Sequence, residues 1–383
     1  MGCLKSCLNG SLKRSLVGLL SCLDRCRKWS ELFLFKCIRS DCMNIIEVNP
    51  SGGCHVVILG AGASIAASIR DPEEHGLMLP SMNNLPDVVG LHGCLSHFPQ
   101  ELIQDNFEAT YSSIVEHDPD NPYLKVMNDL IYSYFASMLL PLKPTIYDYL
   151  IMSLRDKDVI ATFNWDPFLY QAWWRNALHG SSPQLLFLHG NVAVGYNKEH
   201  NMIGRAGMYT KDGIIYFEPT KLLYPVKHKN YAADSYIKKA WDILQDRLDK
   251  SACNTHNVTI FGYSAPVSDV EAMGLMKKAW GSVDDRNLEQ FEIIDVRSEE
   301  EVTYSWRDFI HTHHYDYRTS FFESSLALYP RRTDEAFFCH YLPFTPEEAF
   351  VESNPVPQNF KTFEEMWDWY QPLIDRESYD RRR

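Results

Sequence analysis

The sequence predicts an α/β fold: a Rossmann-like parallel sheet with a mostly helical insertion and an aromatic-rich C-terminal extension. Three observations carry this. From His55 the chain reads HVVILGAGASIAASI, a β-branched apolar run that empties into a glycine turn and then a helix-compatible stretch. Four more apolar runs of strand length follow, at 158–163, 184–188, 257–261 and 291–294, each ending at a polar or glycine turn. Helical patterns at 234–248 and 269–280 separate several of them. Alternation of this kind builds parallel strands covered on both faces.

In chain order, the first element is a leader, residues 1–42, with eight Lys/Arg, three Asp/Glu and six of the ten cysteines. Met1-Gly2-Cys3-Leu4-Lys5-Ser6 fits an N-myristoylation pattern with Cys3 open to palmitoylation, which would bring the chain to a membrane. The alternative is that the working protein begins at Met43, where composition and charge sign both change. The uncharged run Ser15–Leu23 is far short of the roughly 20 residues of a spanning helix.

Residues 43–300 form the expected ligand-binding domain. Within it, about 72–155 reads as the helical insertion, punctuated by proline and then amphipathic over 123–140 and 145–154. Residues 301–383 are expected to be helices packing on this domain or on a partner.

The whole chain of 383 residues carries a net charge of -13, and the body beyond the leader is more acidic still. Such a body excludes broad binding to nucleic-acid phosphates. Cys54, Cys94, Cys253 and Cys339 form no C-x-x-C pair. That disfavours a zinc module and suits a reducing cytoplasm.

In parallel sheets ligands bind beyond the C-terminal strand ends. The residues there are Gly60-Ala61-Gly62-Ala63-Ser64, Asn164-Trp165-Asp166, His189-Gly190, Gly262-Tyr263-Ser264 and Asp295. Position 65 is Ile, so the third glycine of the dehydrogenase fingerprint is missing and hydride transfer is disfavoured. Each residue also has a plainer reading. Asn164 or Asp166 could cap a helix starting near Pro167, and His189 could be a structural histidine. Ser264 and Asp269 could be turn and N-cap residues, and Asp295 an ordinary strand-end group. The His311, His313, His314 and Asp316 cluster has metal-compatible spacing but no supporting turn or cysteine pair. Arg331-Arg332 reads as an exposed basic pair.

Taken in order, Gly-Ala-Gly-x-Ser, Thr-x-Asn-x-Asp, His-Gly and Gly-x-Ser, each closing a strand, resemble the sirtuin fold family over roughly residues 54–300. The closer likeness is to sirtuin-like NADase domains of bacterial antiphage defence proteins, and Gly76-Leu-Met-Leu-Pro-Ser-Met82 looks like the same branch. The deacylase branch would carry Gly-Ile-Pro-Asp-Phe-Arg where this chain has Ile-Ala-Ala-Ser-Ile-Arg, and two C-x-x-C pairs that this chain lacks.

The resemblance implies NAD as substrate, no metal, hydrolysis of the nicotinamide–ribose bond to nicotinamide and ADP-ribose, a homo-oligomer, and a regulatory partner such as an ATPase. On that reading Asn164 holds a ribose hydroxyl or the attacking water, and Asp166 accepts from the nicotinamide amide. His189 is the general base, an imidazole that ordinarily titrates near ~6.5. Gly60, Ala61, Gly62 and Ser64 cradle the pyrophosphate, Gly262 and Ser264 approach from the neighbouring strand, and Asp295 binds the adenosine ribose. A non-catalytic NAD or ADP-ribose sensor is the rival class; protein deacylation and ADP-ribosyl transfer stand behind it.

Overall fold

The computed structural model describes residues 42–44, 53–68, 77–226, 229–251, 255–266, 269–286, 289–312, 314–341 and 353–380, with backbone alone at 42–44, 338–341 and 378–380. The expectations for leader residues 1–41, and for Arg70, Gly76, Cys253 and His313, lie outside the described residues.

Among the described residues ten strands follow in chain order: β1 (Cys42–Asn44), β2 (Cys54–Leu59), β3 (Val159–Thr162), β4 (Gln184–Phe187), β5 (Val194–Asn197), β6 (Met202–Arg205), β7 (Glu218–Pro219), β8 (Thr255–Phe261), β9 (Gln290–Ile294) and β10 (Tyr315–Arg318). Six form a central sheet in the order β10-β9-β8-β2-β3-β4, every pair parallel. All six residues of β2 are buried, as a continuous apolar run must be when helices cover both faces.

The register brings the strand ends level. Leu59 pairs with Thr162 and Phe261, Thr162 with Phe187, and Phe261 with Ile294. The next residues, Gly60, Phe163, Leu188, Gly262 and Asp295, therefore emerge along one edge. From β2 the chain runs outward through β3 to β4, then crosses to the other side of β2 and runs outward through β8, β9 and β10. The reversal lies between β2 and β8, the topological switch point where open α/β sheets bind ligands.

Between β2 and β3 the regular elements among the described residues are helices, at Ala61–Ser68 and then at Leu85–Val89, His92–Leu95, Phe107–His117, Pro122–Ala136 and Ile146–Ser153, with a short 3-10 turn at Gln100–Leu102. The Pro122–Ala136 helix starts under an Asn121 cap with proline at its first position, and buries Leu124, Met127, Ile131 and Phe135 on one face.

The C-terminal extension departs from the expected run of helices. Tyr315–Arg318 is the sixth strand of the central sheet. Its half-buried, partly charged YDYR composition suits an edge strand and gives no apolar signal. The extension also holds Arg331, which is 2% exposed instead of belonging to an exposed basic pair. Its guanidinium pairs with Glu377 and donates to the carbonyls of Met152, Leu154 and Ser181, clamping the Phe363–Asp380 helix to the body. A second, small antiparallel sheet, β1-β6-β5-β7, also lies beyond what the sequence pattern predicts.

A buried polar chain crosses three neighbouring strands, β2, β8 and β9. His55 Nε2 meets Thr259 Oγ1 at 2.8 Å, Thr259 donates to Glu292 at 3.2 Å, and Ser325 caps the same carboxyl from the extension. Burial lowers His55 to about 4 and raises Glu292 to about 7. Because folded Glu292 keeps its proton at pH values where the unfolded chain has lost it, this group's contribution to stability falls as pH rises from 4.5 to about 7. Relative to wild type, Glu292→Gln is therefore expected to gain stability steadily across that window in denaturant titrations. A pH-independent difference would contradict the assignment.

Candidate functional site

The switch point is a seam of glycine. The Gly60 amide donates to Phe261 O at 3.0 Å and the Gly62 amide to Gly262 O at 3.0 Å. A Cβ on Gly60 would stand 2.5 Å from the Gly262 oxygen, and one on Gly262, whose φ is +60°, 2.4 Å from the Ala63 nitrogen. This corrects one expectation. The amides of Gly60 and Gly62 do not point at a ligand, because the neighbouring turn already takes them. Gly262 is committed too, donating to Ile294 O at 2.9 Å. The glycines let two turns touch, and the exposed start of the Ala61–Ser68 helix is what remains open on this side.

On the β3 side, Asn164 ties the turns together. Its Nδ2 donates to Gly60 O at 2.8 Å and to Ser64 Oγ at 2.9 Å, and lies 3.3 Å from the Tyr147 hydroxyl. Ser64 and Tyr147 meet at 2.7 Å. The Ser64 hydroxyl is thus held inside the protein and does not face a phosphate. Among the described residues no group donates to Asn164 Oδ1.

Asp166 takes the capping alternative that the sequence leaves open. Its Oδ1 accepts the Phe168 amide at 3.1 Å at the start of the Phe168–Asn176 helix. The side chain is buried, and burial pushes its carboxyl up to about 6 against the opposing hydrogen bonds.

Asn191 fixes the geometry of this loop. Its Nδ2 donates to the backbone oxygens of Asp166 at 2.6 Å and Asn164 at 3.3 Å, while its own amide and carbonyl are bracketed by Thr220.

His189 follows β4 and stands edge-on to the Phe163 ring, 4.9 Å between centroids. Its Nε2 lies 3.2 Å from the Tyr231 hydroxyl and 3.9 Å from Asp269 Oδ1. Burial lowers the imidazole to about 4; Asp269 opposes this and Lys229 adds to it. The ring is therefore neutral at pH 7, well below the titration range expected of an open histidine. Asp269 sits at the N-cap position of the Val270–Trp280 helix but makes no capping bond. Instead it pairs with the buried Lys229 and accepts the Tyr263 hydroxyl at 2.8 Å. Tyr263 in turn stacks on Phe163 at 4.2 Å.

Asp295 lies across the seam. It receives the Arg297 amide at 3.0 Å and its guanidinium at 2.7 and 3.0 Å. Burial opposes its charge, but the Arg297 contacts hold the carboxyl below its ordinary range. Asp295, Val296, Gly62, Ala66, Gly262 and Phe321 line a cavity of about 160 Å³. Ser264 is exposed beside it in sequence, with no hydrogen-bond partner among the described residues.

The predicted residues thus fall into two groups. Ser64, Asn164, Asp166 and His189 lie on the β3–β4 side and Asp295 on the β9 side, with Gly60, Gly62 and Gly262 between. Sequence reasoning misses Tyr147, Asn191, Lys229 and Tyr231, and takes Asp269 only as a helix cap. Asn191, two residues after His189, carries the one available hint.

Among the described residues no cluster of three His, Cys, Asp or Glu is placed to hold a metal, and no helix is long and apolar enough to cross a membrane. No protein-family model and no curated protein matches the chain. Among solved structures it is similar to a Sir2 homologue mutant in complex with ADP-ribose, at 15% identity over 65% of this chain and 82% of that one, with a TM-score of 0.31. It is also similar to a Sir2 homologue mutant in complex with 2′-O-acetyl ADP-ribose, at 13% identity over 70% and 87%, with a TM-score of 0.35. Those values leave the reading of the site to its own geometry.

Proposed function

We propose that the chain is an NAD+ glycohydrolase that releases nicotinamide and ADP-ribose, acting in the cytoplasm as an NAD-depleting effector of antiphage defence. The observation that carries the chemistry is that Asn164 and His189 each stand two residues beyond a pair of level strand ends, Thr162 of β3 and Phe187 of β4, beside the switch point. Asn164 spends its NH2 on the glycine turn and keeps Oδ1 for the substrate; burial keeps the His189 imidazole neutral, with one ring nitrogen unprotonated. A dinucleotide laid across the glycine seam would put its nicotinamide ribose toward Asn164 and His189, and its adenosine toward the cavity beside Asp295.

Hydrolysis breaks the C1′–N bond with both electrons leaving on nicotinamide, so the leaving group departs neutral from a cationic ring. Water adds to C1′ as the oxocarbenium character develops, and His189 accepts the proton that the water loses. Asn164 Oδ1 holds a ribose hydroxyl or that water in line. The pyrophosphate falls to the positive end of the Ala61–Ser68 helix at exposed Ala61, since the Gly62 and Ala63 amides are already bonded, and to the Ser264 hydroxyl. In so acidic a protein, a helix terminus is the available source of positive potential. Silencing in a healthy cell would fall to a homo-oligomer or a regulatory partner such as an ATPase.

The test is to incubate the purified protein with NAD, with and without candidate partners, and to quantify nicotinamide and ADP-ribose by chromatography. Equimolar release of both is expected. Tight NAD binding without release in any assembly would turn the reading to a sensor, and release that requires an acetylated peptide would turn it to a deacylase.

A further inference from the structure

Behind His189 lies a buried cluster of ionisable groups that the hydrolytic scheme above does not use. Lys229 and Asp269 are 8% and 4% exposed and form an ion pair. Tyr263 donates to the other Asp269 oxygen, and Tyr231 contacts His189 Nε2. The groups come from separate segments: Lys229 and Tyr231 from the loop before the Ser235–Leu248 helix, Tyr263 from the turn after β8, and Asp269 from the start of the next helix. Glu271 acts on Tyr231 and Glu108 on Tyr263 from farther off. Phe163 packs edge-on against the imidazole, and Trp241 backs Phe163 and Tyr231, both without charge. Among the described residues the one anion facing His189 at close range is Asp269, at 3.9 Å, and it is shared with Lys229.

A carboxylate in that place has a consequence when the imidazole takes a proton. The imidazolium is then a buried cation, and a buried cation needs a partner. We infer that Asp269 is the positioning residue of His189, stabilising the imidazolium that forms as water is deprotonated, and that Lys229 sets how much of that carboxylate the imidazole feels. This rests on the hydrolase reading for its consequence in turnover, but the coupling between the three side chains does not. Were the Lys229–Asp269 pair only a staple joining the loop to the helix, His189 would titrate alike with or without it.

The experiment follows His189 in two ways. Its ring-proton resonance, assigned by loss in His189→Gln, is titrated by NMR, and kcat and KM for NAD are measured across the same pH range. Lys229→Met is expected to raise the His189 midpoint by about one pH unit or more, and Lys229→Arg to leave it near the wild-type value. Asp269→Asn is expected to lower kcat about ten- to a hundredfold, with KM within about threefold and no upward movement of the midpoint. The double variant Lys229→Met/Asp269→Asn leaves neither charge unpaired, and is expected to keep the lowered kcat of Asp269→Asn with a midpoint no lower than in that variant. A midpoint unmoved in Lys229→Met, or a double variant with wild-type kcat and midpoint, overturns the inference. If the wild type releases no nicotinamide in any assembly, the hydrolase reading fails by itself, and the NMR titration still decides the coupling.

Discussion

Asn164→Asp is expected to lower nicotinamide release by about a thousandfold or more, an effect of the size seen when an oriented catalytic hydrogen-bonding group is removed. The substitution keeps shape but loses the NH2 that donates to Gly60 O and Ser64 Oγ. In its place a carboxylate would face the Gly60 carbonyl, oxygen against oxygen. The glycine turn would shift, and the acceptor meant for the ribose would be misplaced. Leaving buried acceptors unpaired also costs about 1–3 kcal/mol of stability, so a lower melting temperature should accompany the loss of activity. Asn164→Ala and His189→Ala extend the test: turnover that survives both would sink the mechanism. Asn191→Ala, acting only through the loop backbone, should cost less.

Gly262→Ala is expected to give a large loss of stability. Its φ of +60° disfavours any L side chain, and the new Cβ would lie 2.4 Å from the Ala63 nitrogen and 2.6 Å from Gly62 Cα. Both are backbone atoms that cannot swing aside. The left-handed conformation alone costs about 1–2 kcal/mol, and a forced separation of the turns brings the total to about 3 kcal/mol or more. Gly274→Ala is the control. It lies within a helix, and a methyl group there would meet no atom within 4 Å, so a gain of up to about 1 kcal/mol is expected. Equal effects from the two changes in thermal melts would refute the seam as a packing constraint.

The fold is legible wherever burial on both faces has selected apolar, β-branched residues. The runs ending at Leu59, Thr162, Phe187, Phe261 and Ile294 announce themselves, and turn chemistry marks where each stops. Tyr315–Arg318 does not, because an edge strand half in solvent keeps its charges. Neither do β5 to β7, which are too short to show a period. Charges are the hardest residues to place. Arg331 and Asp269 look like surface groups in sequence, and each is buried by a partner, Glu377 and Lys229, that lies 46 and 40 positions away. The candidate site is legible as a set of turns, since order and strand context single out Gly60, Asn164, His189 and Gly262 as the residues beyond the strand ends. What each atom does is not, because whether an amide faces a ligand or a neighbouring turn depends on a contact between Gly62 and Gly262 that no local pattern encodes.

That contact also sets when the site can exist. Gly60 and Gly262 are neighbours only because β2 pairs with β8, segments roughly 200 residues apart in the chain, and closing so long a loop is a slow, late event in folding. A ribosome-bound chain that has made β2, β3 and β4 already carries Asn164 and His189, yet it lacks the turn that completes the seam and the carboxylate of Asp269. An NAD-destroying enzyme built this way would be harmless through most of its own synthesis, with activity arriving as the last central strands dock.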